Sequence, residues 1–341
     1  KLDEVQVPVA NSLRWEHRPQ LVEGNDARVF QINGPEHKFY VIVGHLKNGT
    51  PTTGEPFEVL IAGEGPRGLH ALAKSLSLDM RSQDRTWLKE KLESIAKTDG
   101  KAFEMSMPNG VLVEMPSEVA AFARLVHYQC EQLGAFSDEK LAKDTSLMDA
   151  LMSKRRPKTT TDGGLAWYCD IHNQNTGDKF KLFLPELELG NGKKRPYEIW
   201  FDGVYPLQSF SGLAKSLSLD FQVNDMAWVV RKLNQLRTIS ENQGDFWATI
   251  PGQEKSKVYP STIAYVAELI LHRLRTLNLV DEQGSTGDSR VVAIRPTGPQ
   301  KPAPVASALS MLDCPECKAK ASVKVDGGCS TCTQCSFSSC G

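Results

Sequence analysis

The chain has 341 residues, 40 Lys and Arg against 41 Asp and Glu for a formal charge of −1, and 40% hydrophobic residues. That composition excludes wholesale disorder and supports two or three folded domains at about 150 residues each. No apolar run approaches the ~18 residues of a membrane-spanning helix, and near-neutrality argues against a protein that coats nucleic acid, because phosphate neutralisation needs surplus Lys and Arg.

Taken in chain order, Arg28–Ile32, Phe39–Val43 and Phe57–Ala62 are short β-branched or aromatic stretches bounded by Gly, Asn and Pro, and they predict strands. Asn48-Gly49-Thr50 between them reads as a turn. Leu69, Leu72, Ala73, Leu76 and Met80 then share one helical stripe, and Trp87, Leu88, Leu92 and Ile95 share a second. Ser117 is a candidate N-cap for a third helix bearing Val119, Ala120, Ala123 and Val126. Farther along, Trp167–Ile171, Phe180–Leu184 and Tyr197–Asp202 predict strands again. Leu213, Leu217 and Phe221 mark the next helix, followed by Trp228, Val229, Leu233 and Leu236. A last helix starts behind Ser261 and carries Ile263, Ala264, Ala267 and Leu271.

The second series matches the first. Ala73-Lys-Ser-Leu-Ser-Leu-Asp79 recurs letter for letter as Ala214-Lys-Ser-Leu-Ser-Leu-Asp220, a shift of 141 residues. Pro56-Phe-Glu-Val59 answers Pro196-Tyr-Glu-Ile199, Trp87 answers Trp228, and Pro116-Ser117 answers Pro260-Ser261. Self-similarity of this length reads as a duplicated domain. Strands first and helices after predict an α+β fold, with helices on one face of a largely antiparallel sheet. The expected organisation is a first α+β repeat at 1–136, a linker at 137–163, a second α+β repeat at 164–280, a Pro/Gly/Ser-rich tether at 281–313 and a small zinc-ribbon-like cysteine tail at 314–341. Charge is balanced within each part: −3, +1, +1 and, for 281–341, 0. The basic run Lys154-Arg-Arg-Pro-Lys158 therefore reads as solvated linker, and Lys193-Lys-Arg195 as a loop before a strand.

Cysteine usage is uneven. Only Cys130 and Cys169 lie in the first 313 residues, and six cysteines fall in the last 28. A secreted, disulfide-stapled protein spreads its cysteines through the fold and enters by a signal sequence, which Lys1-Leu-Asp-Glu4 does not resemble, so a reducing cytoplasm is expected. In the tail, Cys314-Pro-Glu-Cys317 and Cys329-Ser-Thr-Cys332-Thr-Gln-Cys335, with Cys340, flank a strand-and-turn stretch ending in Asp326-Gly-Gly328. Cys-x₂-Cys pairs on facing turns supply the four thiolates that tetrahedral Zn²⁺ prefers. Six thiols exceed four. One set takes Cys314, Cys317, Cys332 and Cys335 and leaves Cys329 and Cys340; it is preferred because both pairs resemble zinc-ribbon knuckles. The other takes Cys314, Cys317, Cys329 and Cys332 and leaves Cys335 and Cys340. Either way two spare thiols lie near a metal, a setting suited to thiol–disulfide exchange.

Gly63-Glu-Gly-Pro-Arg-Gly68 fits the G-x-G-x-x-G pattern of dinucleotide sites. Pro66 removes an N–H donor, the following element is a second helix rather than a strand, and the matching stretch Gly203–Gly212 lacks the pattern. A glycine-eased strand-to-helix turn is the expected reading. The seven histidines form no paired ligand spacing, Glu58 and Glu198 read as a matched structural pair, and no nucleophile elbow or P-loop is present.

Arg195-Pro-Tyr-Glu-Ile-Trp200, the following helix, Trp228 and the Tyr259-Pro-Ser261 helix start resemble the C-terminal region of coenzyme B12-dependent (class II) ribonucleotide reductases. The tail, Cys314-x₂-Cys317 through Cys340-Gly341, is similar to that family's tail as well. Some bacteria carry this region as a separate small subunit, and the chain looks like that subunit. The resemblance implies zinc binding and electron relay by tail cysteines, with the duplicated domains docking on a catalytic subunit and a thiol reductant protein upstream. Adenosylcobalamin would belong to that catalytic partner, because the chain lacks the barrel and the radical cysteine's surroundings. The alternative is a non-enzymatic zinc-ribbon adaptor binding protein or nucleic acid.

Overall fold

A computed structural model describes residues 13, 18–19, 24–50, 53–82, 85–137, 163–188, 193–203, 208–222, 225–281, 316–317, 323–326, 329–332, 335 and 338–340. Nearly all of the two linkers, with the basic run 154–158, lies outside them. The chain divides into two units, Lys1–Ala293 and Ile294–Gly341. Both expected α+β spans fall in the first.

Strands β1 (Asp26–Asn33), β2 (Lys38–Thr50) and β3 (Thr53–Glu64) form an antiparallel meander. Along β2, Phe39, Val41 and Val43 are fully buried while Tyr40 is exposed, the period-two alternation of a sheet covered on one face. The cover is α1 (Leu69–Arg81), α2 (Arg85–Ile95) and α3 (Glu118–Gln132). Leu72, Leu76, Leu92 and Phe122 close the core from the helix side; each fully buried side chain of this size contributes roughly 1.5–3 kcal/mol. A small hairpin, β4 (Phe103–Ser106) and β5 (Leu112–Met115), connects α2 to α3.

A corresponding order of elements follows. β6 (Ala166–Asn173) pairs with β7 (Asp178–Glu188), which pairs in turn with β8 (Lys194–Pro196) and β9 (Trp200–Gly203). Then come α4 (Gln208–Gln222), α5 (Met226–Leu236), the hairpin β10 (Phe246–Ala248) and β11 (Lys257–Tyr259), and α6 (Thr262–Thr276). Phe180, Leu182, Leu217, Leu233 and Ile270 belong to this second core, which also takes Ala71 from α1. The described residues are thus a mixed α/β protein with six helices and several small antiparallel sheets.

Three local expectations differ from the structure. Of the strand expected over Tyr197–Asp202, Trp200–Asp202 are strand, in β9, and Tyr197–Ile199 stand off the ladder: Pro196 pairs with Glu186 and Trp200 with Phe183, so three residues face two, a one-residue slip at Pro185. Lys194 and Arg195 lie in β8 rather than in a loop, and Arg195 donates to Phe221 O. Asn48–Thr50 extends β2 instead of turning, with the ladder irregular between Lys47 and Thr50.

The halves of the first unit meet through α1 and α2 against α4 and α5. At the centre of that layer sit four fully buried charged side chains, Asp79, Lys91, Asp220 and Lys232. Lys91 Nζ donates to Asp79 at 3.0 and 3.1 Å and to Asp220 Oδ1 at 2.6 Å. Lys232 Nζ donates to Asp79 at 2.6 and 2.7 Å and lies 2.9 Å from Asp220 Oδ2. Trp87 Nε1 donates to Asp79 at 3.2 Å and Trp228 Nε1 to Asp220 at 2.8 Å, so each indole supports the carboxylate of its own half. Burial pulls the Lys91 ammonium down to about 8, while for Lys232 the same burial is outweighed by Asp220 and Asp79 and its pKa is raised. Two negative and two positive groups close on each other with no net charge, the arrangement under which buried ions are tolerated.

Candidate metal centre in the cysteine tail

The second unit is built on a three-stranded antiparallel sheet, β12 (Val323–Asp326), β13 (Cys329–Cys332) and β14 (Ser338–Cys340). Its middle strand begins and ends on a cysteine. Cys332, at the end of β13, faces Val323 in register, and Cys335 follows three residues on. Cys317 lies in a turn before the sheet. Its Sγ is 3.8 Å from Cys332 Sγ, and the sulfurs of Cys317, Cys332 and Cys335 all lie within 4.8 Å of one another. A separation of 3.8 Å is far beyond the ~2.05 Å of a disulfide. It is the spacing of thiols converging on a common point, and three soft donors so placed can hold a thiophilic metal ion. Cys317 is exposed and the other two are half-buried, so the centre lies at the surface.

Of the two four-cysteine sets, the structure brings together three members of the first; Cys335 belongs to that set alone. Cys314 lies outside the described residues. Cys329 and Cys340 are direct register partners across β13 and β14. Opposite residues in an antiparallel pair have Cα atoms about 4.5–5.5 Å apart, inside the 4.4–6.8 Å that a disulfide spans. Sequence spacing pairs these two only by elimination; the register brings them together on its own.

The remaining cysteines are chemically quiet. Cys130 is buried on α3, and burial pushes its thiol up to about 12. Cys169 on β6 is half-buried and also raised, again chiefly by burial. Neither supplies a thiolate near neutral pH.

A second group with metal-like proximity, Glu36, His37 and Glu118, serves the fold. Glu118 Oε1 accepts from the backbone N–H of Glu36 at 3.0 Å and of His37 at 2.8 Å, and Oε2 sits 2.6 Å from His37 Nδ1. A Cβ on Gly34 would lie 2.1 Å from Glu118 Oε1, so glycine is required for this close approach. The glycine-rich loop is likewise a turn from β3 into α1. Gly63 and Gly68 have φ of 86° and 85°, and Gly68 caps the helix. Arg67 within it donates to Asp178 on β7, to Glu241 at 3.1 Å and to Thr262 Oγ1 at 3.3 Å, tying the two halves together. His127 packs on Phe136 with ring centroids 5.0 Å apart. No helix among the described residues is long and apolar enough to cross a membrane.

No family model, curated protein or solved structure matches the chain.

Proposed function

We propose that the chain is an accessory subunit of a B12-dependent ribonucleotide reductase, relaying electrons from its cysteine tail to the catalytic subunit in the cytoplasm. The observation that carries this reading is the separation of the tail thiols into two groups: three sulfurs within 4.8 Å, and a cross-strand pair, Cys329 and Cys340.

In this reading the metal is zinc. With Zn–S bonds of about 2.3 Å, a tetrahedral site has S···S edges near 3.8 Å, the spacing of Cys317 and Cys332. Cys314 would supply the fourth thiolate, three residues before Cys317 as the knuckle spacing requires. The four thiolates would hold zinc as a structural ion that ties the small unit together, outside the redox step. The relay itself balances as thiol–disulfide exchange. A thiolate of the Cys329/Cys340 pair attacks the disulfide left in the catalytic subunit and forms a mixed disulfide. The second thiolate then displaces it, leaving two thiols on the partner and a Cys329–Cys340 disulfide here. An external dithiol reductant restores the pair, with two electrons passing at each stage. The first unit, read as two copies of one strand-then-helix domain joined face to face through their helices, would dock on the catalytic chain.

Replacing Cys329 and Cys340 together by Ser tests the assignment. Dithiol-supported deoxynucleotide formation by the reconstituted pair of subunits should collapse while one equivalent of metal stays bound. Unchanged turnover would favour a purely structural ribbon on an adaptor protein. Truncation after Asp313 should remove one equivalent of zinc; undiminished zinc content would overturn the metal assignment.

A further inference from the structure

The first unit holds two clefts at matching positions. One, of about 480 Å³, lies between β3 and α1 and is closed by Gln235 from α5 of the other half. The second, of about 490 Å³, lies between β9 and α4 and is closed by Ser94 from α2. Their linings correspond residue for residue: Glu58 to Glu198, Lys74 to Lys215 and Ser77 to Ser218. They differ on the strand side, where Leu60 and Ile61 answer Trp200 and Phe201, and they differ in charge. The first cleft has Arg81 and His70 where the second has Gln222 and Ser211, and it adds Arg18 at its edge.

The cations of the first cleft outnumber its acid. Glu58 is its one carboxylate among the described residues, and Arg18 grips both oxygens of it at 2.5 and 2.7 Å. Among those residues Lys74 and Arg81 have no ion pair of their own. Lys74 Nζ donates only to a neutral hydroxyl, Thr238 Oγ1, at 3.0 Å. Arg81 is half-buried, and its Nε is buried with no hydrogen-bond partner among the described residues. Burial, together with the positive fields of Arg231 and Arg18, disfavours its charge, against which Glu58 alone works. An adjoining depression of about 640 Å³ shares Lys74 and Gln235 and brings in Arg231. The floor is apolar, formed by Ile61, Ala73 and Ile239. A half-buried guanidinium, a lysine two turns earlier on the same helix and apolar lining side chains constitute a site for an anion attached to a flatter body.

We propose that the first cleft binds a small phosphate-bearing ligand, with Arg81 and Lys74 on the phosphate, and that the second cleft keeps the shape without the function. Volumes of 300–1,000 Å³ are typical of small-molecule sites, and about 480 Å³ suits a body of nucleotide size. The proposal does not depend on the cysteine tail.

Isothermal titration of the full chain with inorganic pyrophosphate and with ATP, at low salt and at about 150 mM, tests it. Saturable binding of one equivalent is expected. Arg81→Gln, which installs the second cleft's residue, should weaken it about tenfold or more, and Lys74→Gln should weaken it as well. Lys215→Gln in the second cleft should leave it unchanged. If Arg81→Gln fails to fold, Lys74→Gln against Lys215→Gln gives the same comparison. Absence of saturable binding by either probe overturns the proposal, as does equal weakening by Lys74→Gln and Lys215→Gln, which would mean diffuse attraction. Binding of poly-glutamate but of neither phosphate probe would also overturn it and make the cleft a seat for an acidic peptide.

Discussion

At the residue scale, the cysteines divide by environment more sharply than by position. Cys130 sits in an apolar core where burial outweighs the favourable field of Arg85 on a thiolate, and its thiol is held at about 12. It should therefore resist iodoacetamide at pH 8 in the folded protein and react once the chain is unfolded in urea; peptide mass spectrometry reads both states. Cys317, Cys332 and Cys335 lie at the surface and should react readily in the metal-free chain; under the proposed zinc assignment the metal should protect them until a chelator removes it. The knuckle spacing is legible in the sequence because it is local: two residues between cysteines set a turn. Which cysteines face one another is not local, and it emerges from the β13–β14 register that sets Cys329 against Cys340. Arg81 and Lys74 were equally invisible. Their neighbours in the cleft come from the preceding strand, β3, and from α5 of the other half, far away in sequence.

At the scale of elements, the seven-residue run shared by α1 and α4 shows how repeated sequence becomes repeated contact. Ser77 accepts from Val59 N–H at 2.9 Å and Ser218 from Ile199 N–H at 2.9 Å, each pinning a helix to its own sheet. Lys74 and Lys215 each reach across to the opposite half, to Thr238 and to Lys97 O. Asp79 and Asp220 end the run in the buried charge cluster. Helix stripes, both serine N-caps and most strands were legible because each is a local periodicity or a local capping pattern. The hairpins β4–β5 and β10–β11 were missed, although Asn109-Gly110 is a turn signal in the first. Strands of three or four residues carry too little alternation to stand out. The caps give a direct test. Ser117 accepts from Ala120 N–H at 3.1 Å and donates to Thr98 O at 2.6 Å; Ser261 does the same with Ala264 and Ile239 at 3.0 and 2.7 Å. Ser117→Ala and Ser261→Ala should each cost about 0.5–2 kcal/mol in urea unfolding, with the two effects adding because the caps belong to different helices.

At the scale of the whole molecule, the charge cluster of Asp79, Lys91, Asp220 and Lys232 fixes how the two halves of the first unit meet. Sequence periodicity places all four on helices, but it gives no reason for charges on apolar stripes; only the packing of one half on the other supplies each with its counter-ions. Lys232→Met leaves two carboxylates facing one buried ammonium and should destabilise the unit by about 3–5 kcal/mol. Adding Asp220→Asn restores the charge balance, so the double variant should be more stable than the sum of the singles predicts; strict additivity would show that the four groups do not act as one network.

In the proposed relay the tail divides its six cysteines into a metal set and a redox pair. Mild oxidation of the zinc-loaded chain with diamide, followed by peptide mapping and metal quantitation, tests it most directly. The predicted result is a single Cys329–Cys340 disulfide with one equivalent of zinc retained. A disulfide that includes Cys317, Cys332 or Cys335, formed as zinc is lost, would contradict it.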